Sequence, residues 1–227
     1  MRFSEVIPIL EEKLQQPLPG LQGHRHMAPE PVDERRFSPE IPETARKGAV
    51  LLLLYPGEKG LATFPFIKRP PYDGVHGGQI ALPGGKWEDE DKDFGATALR
   101  ETEEEIGVQR ERITLLGSLT RLYIPPSNFV VFPYIGFVEE QPSFSPDPKE
   151  VDRLIPCAFS ALFAPEAIQV GNVRVRDRYA LRTPYYAVEN EMVWGATAMI
   201  LSELQQLWQA PERSFLDFQA ECVNYAV

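Results

Sequence analysis

The chain is poor in cysteine, histidine and basic charge for its 227 residues. It has only two cysteines, Cys157 and Cys222, so the sequence excludes a disulfide framework and a zinc site with cysteine spacing. The 23 basic residues are outnumbered by 33 acidic ones, and the net charge of −10 argues against broad binding to nucleic acid. An anionic small substrate is compatible with this charge, because a bound metal ion can dominate the local field.

Long apolar segments are missing as well. No run approaches the ~20 consecutive apolar residues that cross a bilayer, so we expect no membrane partner. The N-terminus has no basic leader ahead of an apolar core, which is the pattern of a signal peptide, and we therefore expect a cytoplasmic protein. The composition is otherwise typical of a globular chain, with 43% hydrophobic residues, and the 22 prolines favour many turns.

The hydrophobic pattern predicts one mixed α/β domain preceded by an arm. Residues 3–14 have the spacing of a short amphipathic helix, and we assign 1–46 to a helical and irregular arm that packs on the domain. The domain itself is expected to cover 47–227. Its first element, 49–55 (AVLLLLY), is a continuous apolar run whose length predicts a strand buried on both faces.

Further strands alternate with few helices. Strands are predicted at 61–69, 79–82, 113–123, 129–138, 150–155 and 173–181, and helices at 94–106, 158–163 and 194–208. Pro133 inside the strand at 129–138 predicts an edge position or a bulge. In 173–181 the alternation places Arg174, Arg176 and Arg178 on one strand face. This order of elements predicts a mixed α/β sandwich.

The most informative stretch runs from Gly84 to Val108 and reads GGKWEDEDKDFGATALRETEEEIGV. A glycine pair and an acidic loop lead into a helix that carries Glu101, Glu104 and Glu105. Because residues three and four apart are neighbours on a helix, these carboxylates repel one another. Mg²⁺ prefers carboxylate oxygens, waters and substrate phosphates, and it would remove this repulsion. A solvated acidic face is the alternative, but the preceding glycine pair favours a site.

Such a site suits the hydrolysis of a diphosphate. A divalent ion screens the phosphoryl charge and lowers the pKa of a bound water. Glu101 and Glu105 face the same side and are the best candidates for direct metal ligands, whereas Glu104 binds the metal through water or acts as the base. The glycine pair, Gly84 and Gly85, lets the backbone approach the phosphates. Arg100 is interpreted as the partner of an acid in the preceding loop.

These residues resemble the Nudix box, G-x5-E-x7-R-E-U-x-E-E-x-G-U, in which U is a bulky apolar residue. Arg100-Glu101, Glu104-Glu105 and Gly107-Val108 fall in register with it. Thr102 stands at an apolar position of the box. One additional residue between Gly85 and Arg100 puts Lys92 where the box has glutamate. Asp91, one position earlier, is our candidate for the structural acid that pairs with Arg100.

The segment before the box carries a second resemblance. It reads Arg69-x6-His76-x-Gly78-Gln79-Ile80-Ala81-Leu82-Pro83-Gly84-Gly85 and is similar to the form R-S-x5-H-x-G-Q/E-V-A-F-P-G-G of coenzyme A pyrophosphatases. Pro70 and Leu82 replace the serine and the phenylalanine of that form. The resemblance makes Arg69 and His76 candidate substrate-binding residues together with the glycine pair. For His76, a role in stabilising the loop is an open alternative.

Two later pieces resemble the same branch. Glu150-Val151 matches its E-V pair, and 193–198 (VWGATA) matches the start of its last helix. The resemblance thus spans about 47–208 and leaves the arm outside. Trp194 is interpreted as a core residue, because the apolar stripe of the helix begins there.

The resemblance implies a Nudix fold, an α/β/α sandwich around a mixed β-sheet. It also implies an Mg²⁺- or Mn²⁺-dependent hydrolase that cleaves the diphosphate of a nucleoside-diphosphate derivative. Coenzyme A or an acyl-CoA is the leading substrate, with 3′,5′-ADP and a phosphopantetheine as products. The arginines of 173–181 are then candidates for binding the 3′-phosphate, the alternative being a solvated strand face.

Other functions stay open. The enzyme alternative is a pyrophosphatase for ADP-ribose, dinucleotides or nucleoside triphosphates. A Nudix module that senses a nucleotide without cleaving it is a second alternative. Isomerase chemistry on the same fold is a third, with Cys157 as the cysteine available for it. The expected partner is a small nucleotide substrate, and a homodimer is left open.

Overall fold

The frame of the molecule is a mixed sheet between helices, seen in a computed structural model that describes residues 1–71, 77–175 and 179–211. Eight strands in these ranges form the main sheet: β1 Arg46–Pro56, β2 Ala62–Lys68, β3 Ile80–Ala81, β4 Gly84–Lys86, β5 Thr114–Ser118, β6 Leu122–Ile124, β7 Phe129–Phe137 and β8 Arg153–Ala158. Three more form an antiparallel sheet: β9 Ile168–Val175, β10 Tyr179–Val188 and β11 Glu191–Trp194.

Four α-helices accompany the sheets in the described ranges: α1 Phe3–Lys13, α2 Gly20–Arg25, α3 Phe94–Ile106 and α4 Gly195–Gln209. Short 3₁₀ helices include Glu34–Phe37 and Phe159–Phe163. The long helices predicted at the start, centre and end of the chain are confirmed within one or two residues. Within the described part of the chain, no helix combines the length and apolarity needed to cross a membrane.

Strand β1 is the centre of the main sheet, and its burial on both faces is confirmed. It pairs in parallel with β7 and antiparallel with β2 and β4. Leu52 and Leu54 belong to the apolar cluster on one face, and Leu51 and Leu53 to the cluster on the other. A strand without a polar face needs cover on both sides, which the helices supply.

The helices complete three layers. On one face, Ala98 and Ile106 of α3 share an apolar cluster with the odd-numbered leucines of β1. On the opposite face, Val6 of α1 and Leu204 of α4 share the larger cluster with the even-numbered leucines. This arrangement is the α/β/α sandwich around a mixed sheet that the family resemblance implies, and it confirms the mixed α/β sandwich predicted from the order of elements.

The edge position predicted for Pro133 is wrong. Its strand, β7, lies inside the sheet, with β1 on one side and β5 and β6 on the other. The Pro133 carbonyl accepts a hydrogen bond from the Leu119 amide, so its nitrogen faces the break between β5 and β6. A proline is tolerated there because no ladder bond is lost. The bulge lies in β5 instead, between Leu115 and Gly117.

Two predicted strands are divided. The segment 113–123 forms β5 and β6, which pair with successive parts of β7. The segment 173–181 is divided between β9 and β10, which pair antiparallel with Val175 opposite Tyr179. The single strand predicted over 173–181 is therefore wrong, and the shared face predicted for its three arginines falls largely on residues that the structure does not describe. Arg176 and Arg178 lie outside the described residues, as does His76.

The arm is part of the core. Leu10 of α1 and Met27, which follows α2, are both fully buried in the larger apolar cluster. Helix α2 packs on α4, and the two are joined by a pair of fully buried side chains, His24 and Glu203, whose Nε2 and Oε2 atoms are 3.0 Å apart. An ionised carboxylate only accepts hydrogen bonds, so the tautomer of His24 with a proton on Nε2 is the one that can pair with a charged Glu203.

The Glu203 carboxylate accepts two further hydrogen bonds, both from backbone amides. Its Oε1 accepts from Gly20 at 3.0 Å, and its Oε2 accepts from Thr120, also at 3.0 Å. One buried acid therefore connects α4, the arm and the break between β5 and β6. Such a group is tolerated in a dry site because its donors are all provided by the fold.

Glu203→Ala should lower the free energy of unfolding by about 3 kcal/mol or more, because three donors would lose their acceptor in a buried site. Urea denaturation of the full chain measures this. Glu166→Ala, which removes an exposed carboxylate, serves as the control and should stay within about 0.5 kcal/mol of the wild type. Equal unfolding midpoints for the two variants would contradict a structural role for the buried pair.

Candidate functional site

The site begins where the glycine pair forms β4 beside β1. Gly84 is opposite Val50 and Gly85 is opposite Ala49. Gly84 has φ of +149°, and a Cβ there would overlap the Ala49 carbonyl and the Val50 Cα atom. Only glycine fits this position. Its amide donates to Oε2 of Glu105 at 2.7 Å, so the backbone of β4 holds a carboxylate of α3.

Gly85 allows the same close approach one residue later. A Cβ on Gly85 would overlap the carboxylate of Glu101, which belongs to the preceding turn of α3. On its other side, the Gly85 carbonyl lies where a Cβ of Gly48 would be. The three glycines together let α3, β4 and β1 pack without side chains between them, and Glu101 and Glu105 lie against the backbone as a result.

Glu105 is the most deeply buried of the acidic residues on α3. Its side chain is 1% exposed, and its Oε1 has no hydrogen-bond partner. Nη2 of Arg69 lies 3.5 Å from Oε1 and also donates to the Gly84 carbonyl at 3.1 Å. Burial raises the pKa of Glu105 to about 8, although Arg69 and the Gly84 amide oppose this shift. The negative charges of Glu101 and Glu150 raise the pKa further.

Arg100 connects the acidic loop, β4 and the helix. Its Nε and Nη2 donate to the two carboxylate oxygens of Asp91, both at 3.0 Å. Its Nη1 donates to Glu101 at 2.9 Å and to Glu104 at 3.0 Å, and its Nη2 donates to the Lys86 carbonyl at 2.9 Å. Charge-assisted bonds of this kind are the strong ones, and they offset the repulsion between the glutamates.

Asp91 is placed as the sequence analysis expects, against Arg100. Its carboxylate also accepts from the Glu88 amide at 3.1 Å and from the Thr97 hydroxyl at 2.9 Å. The hydrogen bonds from Arg100 are the largest cause that holds the pKa of Asp91 down at about 2. Lys92, at the position of the box glutamate, is exposed. The additional residue of the loop is therefore accommodated by a shift of the acid by one position.

The other departure from the box has a local explanation. Thr102 is fully buried, and its hydroxyl donates to the Ala98 carbonyl at 2.7 Å within the same helix. With its hydroxyl satisfied, threonine presents a methyl group to the core. It can therefore replace the usual apolar residue of the box.

The three candidate metal ligands differ in exposure. The Glu101 and Glu105 side chains are 12% and 1% exposed, whereas Glu104 is 53% exposed and is tied to Arg100. Among the described residues, no three acidic, histidine or cysteine side chains already surround one point as metal ligands would. The donor set nevertheless fits a hard cation. Glu105 has a buried carboxylate oxygen without a hydrogen-bond donor, and carboxylate oxygens are the ligands that Mg²⁺ prefers.

Glu150 is a candidate site residue that the sequence analysis did not select. Its backbone amide donates to the Asp147 carbonyl, and the Asp147 amide donates to the Glu105 carbonyl at the end of α3. Burial raises the pKa of Glu101, as it does that of Glu105, and the charge of Glu150 adds to both shifts. The resemblance of Glu150-Val151 to an E-V pair was the available signal.

A cavity of about 430 Å³ lies on the other side of the glycine pair. Gly84, Gly85 and Arg69 contribute to its wall, whereas none of the candidate glutamates on α3 does. Trp194 lines the cavity and is half-buried, so the interpretation of this residue as core is wrong. Four cationic side chains line the same space: Arg36, Arg46, Arg69 and Lys86. Among the described residues that line it, none is acidic.

Cys157 does not have the environment of a reactive thiol. It is 2% exposed in β8, and burial raises its pKa to about 12. A thiol that stays protonated at neutral pH is a poor nucleophile. This finding argues against the isomerase alternative for Cys157, and Cys222 lies outside the described residues.

The comparisons with known proteins agree on one family. The model of the NUDIX domain matches residues 45–183. Nudix hydrolase 15, mitochondrial, of Arabidopsis thaliana is 31% identical over 185 residues, which are 77% of this chain and 61% of that protein. An uncharacterized Nudix hydrolase NudL of Yersinia pestis is 30% identical over 182 residues, which are 78% of this chain and 87% of that protein.

The plant relatives are longer than the part that this chain matches. The chain spans 61% of the first plant relative and 53% of a second, Nudix hydrolase 22, chloroplastic. Among solved structures, the Nudix hydrolase RenU of M. smegmatis matches with a TM-score of 0.51 at 18% identity. That match covers 75% of this chain and 90% of RenU, and it shows a shared fold.

Asp91→Ala should lower the free energy of unfolding by about 2–3 kcal/mol, because the Arg100 guanidinium would lose its bidentate partner. Lys92→Ala is the matched control and should change it by less than about 0.5 kcal/mol. Because the pKa of Asp91 is lowered, its contribution is fully present above about pH 4 and is lost as the pH falls through about 2. Urea denaturation at pH 7 and pH 2.5 measures both effects. A larger loss in the Lys92 variant would reverse the assignment.

A second prediction uses the raised pKa of Glu105. A carboxyl group with a raised pKa stabilises the fold most below about pH 4.5, and this stability is lost as the pH rises through about 8. Glu105→Gln keeps an acceptor for the Gly84 amide and carries no charge. Without divalent ions, the variant should therefore gain in melting temperature relative to the wild type between pH 5 and pH 9. Glu103→Gln, which removes an ion pair with Arg110, is the control. Parallel curves for wild type and Glu105→Gln would contradict the burial of a titrating carboxyl.

Proposed function

The chain belongs to the NUDIX domain family, and from this premise we propose that it hydrolyses the diphosphate of a nucleoside-diphosphate derivative. The observation that supports the proposal is the position of the glycine pair. Gly84 and Gly85 separate two buried carboxylates on α3 from a cavity lined by cations. A diphosphate at this junction has its oxygens near cationic side chains on one side and near metal-binding carboxylates on the other.

In this proposal, cationic residues bind the phosphates and acidic residues bind the divalent cation. Arg69 and Lys86 flank the glycine pair in the cavity wall and can neutralise phosphate oxygens. Glu101 and Glu105 would hold the divalent cation, Mg²⁺ or Mn²⁺. When bound, this ion screens the phosphates and makes a coordinated water more acidic. Arg100 donates a hydrogen bond to Glu101, holds its carboxylate in place and thereby acts as a positioning residue.

Two carboxylates are candidates for accepting the proton of the attacking water. Glu104 is exposed and one turn from Arg100, and Glu150 lies near Glu101 and Glu105 on a separate loop. A general base must reach the water while the metal ligands stay occupied. Glu104 would have to leave its ion pair with Arg100 to accept a proton, whereas the Glu150 side chain forms no ion pair within the described residues, so we favour Glu150.

The substrate we propose is coenzyme A or an acyl-CoA, cleaved to 3′,5′-ADP and a phosphopantetheine. The support is the resemblance of the segment that ends at Gly85 together with the size and lining of the cavity. A volume of about 430 Å³ is in the range of small-molecule sites, and Phe129 and Trp194 offer aromatic surface for a base.

The test is a hydrolysis panel with the full chain and Mg²⁺, using coenzyme A, ADP-ribose, NADH and diadenosine tetraphosphate. We expect the highest kcat/KM on coenzyme A. Glu101→Gln and Glu105→Gln should each lower it at least a hundredfold, which corresponds to about 3 kcal/mol of transition-state stabilisation. Glu103→Gln should keep most of the activity. Near-wild-type activity in both glutamine variants, with both shown to be folded, would refute the assignment of the site.

A further inference from the structure

The cavity extends well beyond the glycine pair. Arg46 begins β1 and lies three residues before Ala49, which pairs with Gly85. At about 3.3 Å per residue, Arg46 is on the order of 10 Å along the strand from that pair. The two phosphorus atoms of a diphosphate share one bridging oxygen and are much closer together than that. A diphosphate at the glycine pair therefore leaves Arg46 free for another group.

The surroundings of Arg46 hold it in the cavity wall. Its Nη2 donates to the Ser127 carbonyl at 3.0 Å, and its guanidinium lies over the Phe129 ring, 5.4 Å from the centroid. It makes no ion pair with a carboxylate in the described part of the chain. Its remaining donors are thus available to a ligand.

Arg36 of the arm lies at the same end of the cavity. Its 3₁₀ helix, Glu34–Phe37, packs on β6, and Ile124 at the end of β6 pairs with Phe129. Phe129 in turn pairs with Arg46 across the sheet. This chain of neighbours brings the arm beside the start of β1, and the side chains of Arg36 and Arg46 both line the cavity.

The charge of Arg36 is only partly offset, because the nearby Asp33 attracts it without forming an ion pair. The adjacent Asp33 is bound in bidentate form by Arg35, at 2.9 and 2.7 Å. Arg36 itself makes no ion pair among the described residues, and burial lowers its pKa. A half-buried guanidinium without a partner is unfavourable, and a bound anion would relieve that cost.

We propose that Arg36 and Arg46 form a second anion-binding subsite, which takes a phosphate monoester of the ligand separate from the diphosphate. The inference rests on the proposed function, because it places the diphosphate at Gly84 and Gly85. Two guanidiniums suit a phosphate by bidentate donation. The arm is then part of the substrate site, and it favours nucleotides that carry an additional phosphate on the ribose.

The test measures binding to the full chain without metal, by calorimetry, for adenosine 3′,5′-bisphosphate, adenosine 2′,5′-bisphosphate and 5′-AMP. One of the bisphosphates should bind at least tenfold more tightly than 5′-AMP, and the better one identifies the position of the second phosphate. Arg36→Ala should remove most of this advantage while changing the affinity for 5′-AMP less than twofold. Arg36→Gln, which keeps the bulk of the side chain without its charge, should do the same and replaces Arg36→Ala if that variant does not fold.

Arg35→Ala is the matched control, because Arg35 belongs to the same short helix and is paired with Asp33. It should leave all three affinities unchanged. Equal losses for 5′-AMP and the bisphosphates in the Arg36 variants, or no loss for any of them, would overturn the subsite. A bisphosphate preference without hydrolysis of any diphosphate would instead refute the proposed function and leave the subsite standing.

Discussion

The close contact between α3 and β4 is the constraint on which the site depends. Gly84 and Gly85 have no side chains to keep the helix away, so Glu101 and Glu105 lie directly against the backbone of the strand. The cost is the burial of negative charge, which is expressed in the raised pKa of Glu105. Arg69 and Arg100 offset part of it from opposite sides. In the proposed function these two carboxylates hold a divalent cation, and their low exposure would strengthen that attraction relative to carboxylates in open solvent.

Arg100 makes this contact tolerant of changes in the loop. The donors of its guanidinium point in fixed directions, so the bidentate contact with Asp91 fixes where the acid lies. This contact does not depend on the exact number of residues in the loop. One additional residue therefore moves the acid from position 92 to position 91 without loss of the pair. Asp93 then begins α3 independently, since its side chain accepts from the Ala96 amide at 2.8 Å. The register of the motif changes while the helix keeps its start.

The parts of the fold that the sequence predicts well are those set by local periodicity. The helix α3 and the buried strand β1 each have one uninterrupted pattern over their full length, and both are found as expected. Reliance on local periodicity also explains why the prediction of a single strand at 173–181 is wrong. The alternation continues from β9 into β10, and a period of two does not distinguish one strand from two that pair antiparallel. The prediction for Pro133 fails because a proline is tolerated there only where β5 ends and β6 begins, and the pattern of β7 itself does not show that break.

The candidate site divides in the same way. The carboxylates of α3, Arg100 and Asp91 come from one continuous stretch, so spacing alone brings them together. Glu150 lies on a loop, so its selection as a candidate needed the structure. The only sequence signal was the resemblance of Glu150-Val151 to a two-residue motif. Arg36 and Arg46 were beyond reach of the sequence, because what joins them is the packing of the arm on β6.

Net charge and local charge have opposite signs in this molecule. The chain carries −10 overall, yet the described lining of its large cavity contains four cations and no acid. The negative surface disfavours polyanions such as nucleic acid, which contact many positions at once. A small phosphorylated ligand contacts only the cavity and meets a positive field there. If the proposed function and the second subsite hold, the same charge distribution selects against polyanions and for small phosphorylated ligands, and the arm contributes to this selection through Arg36.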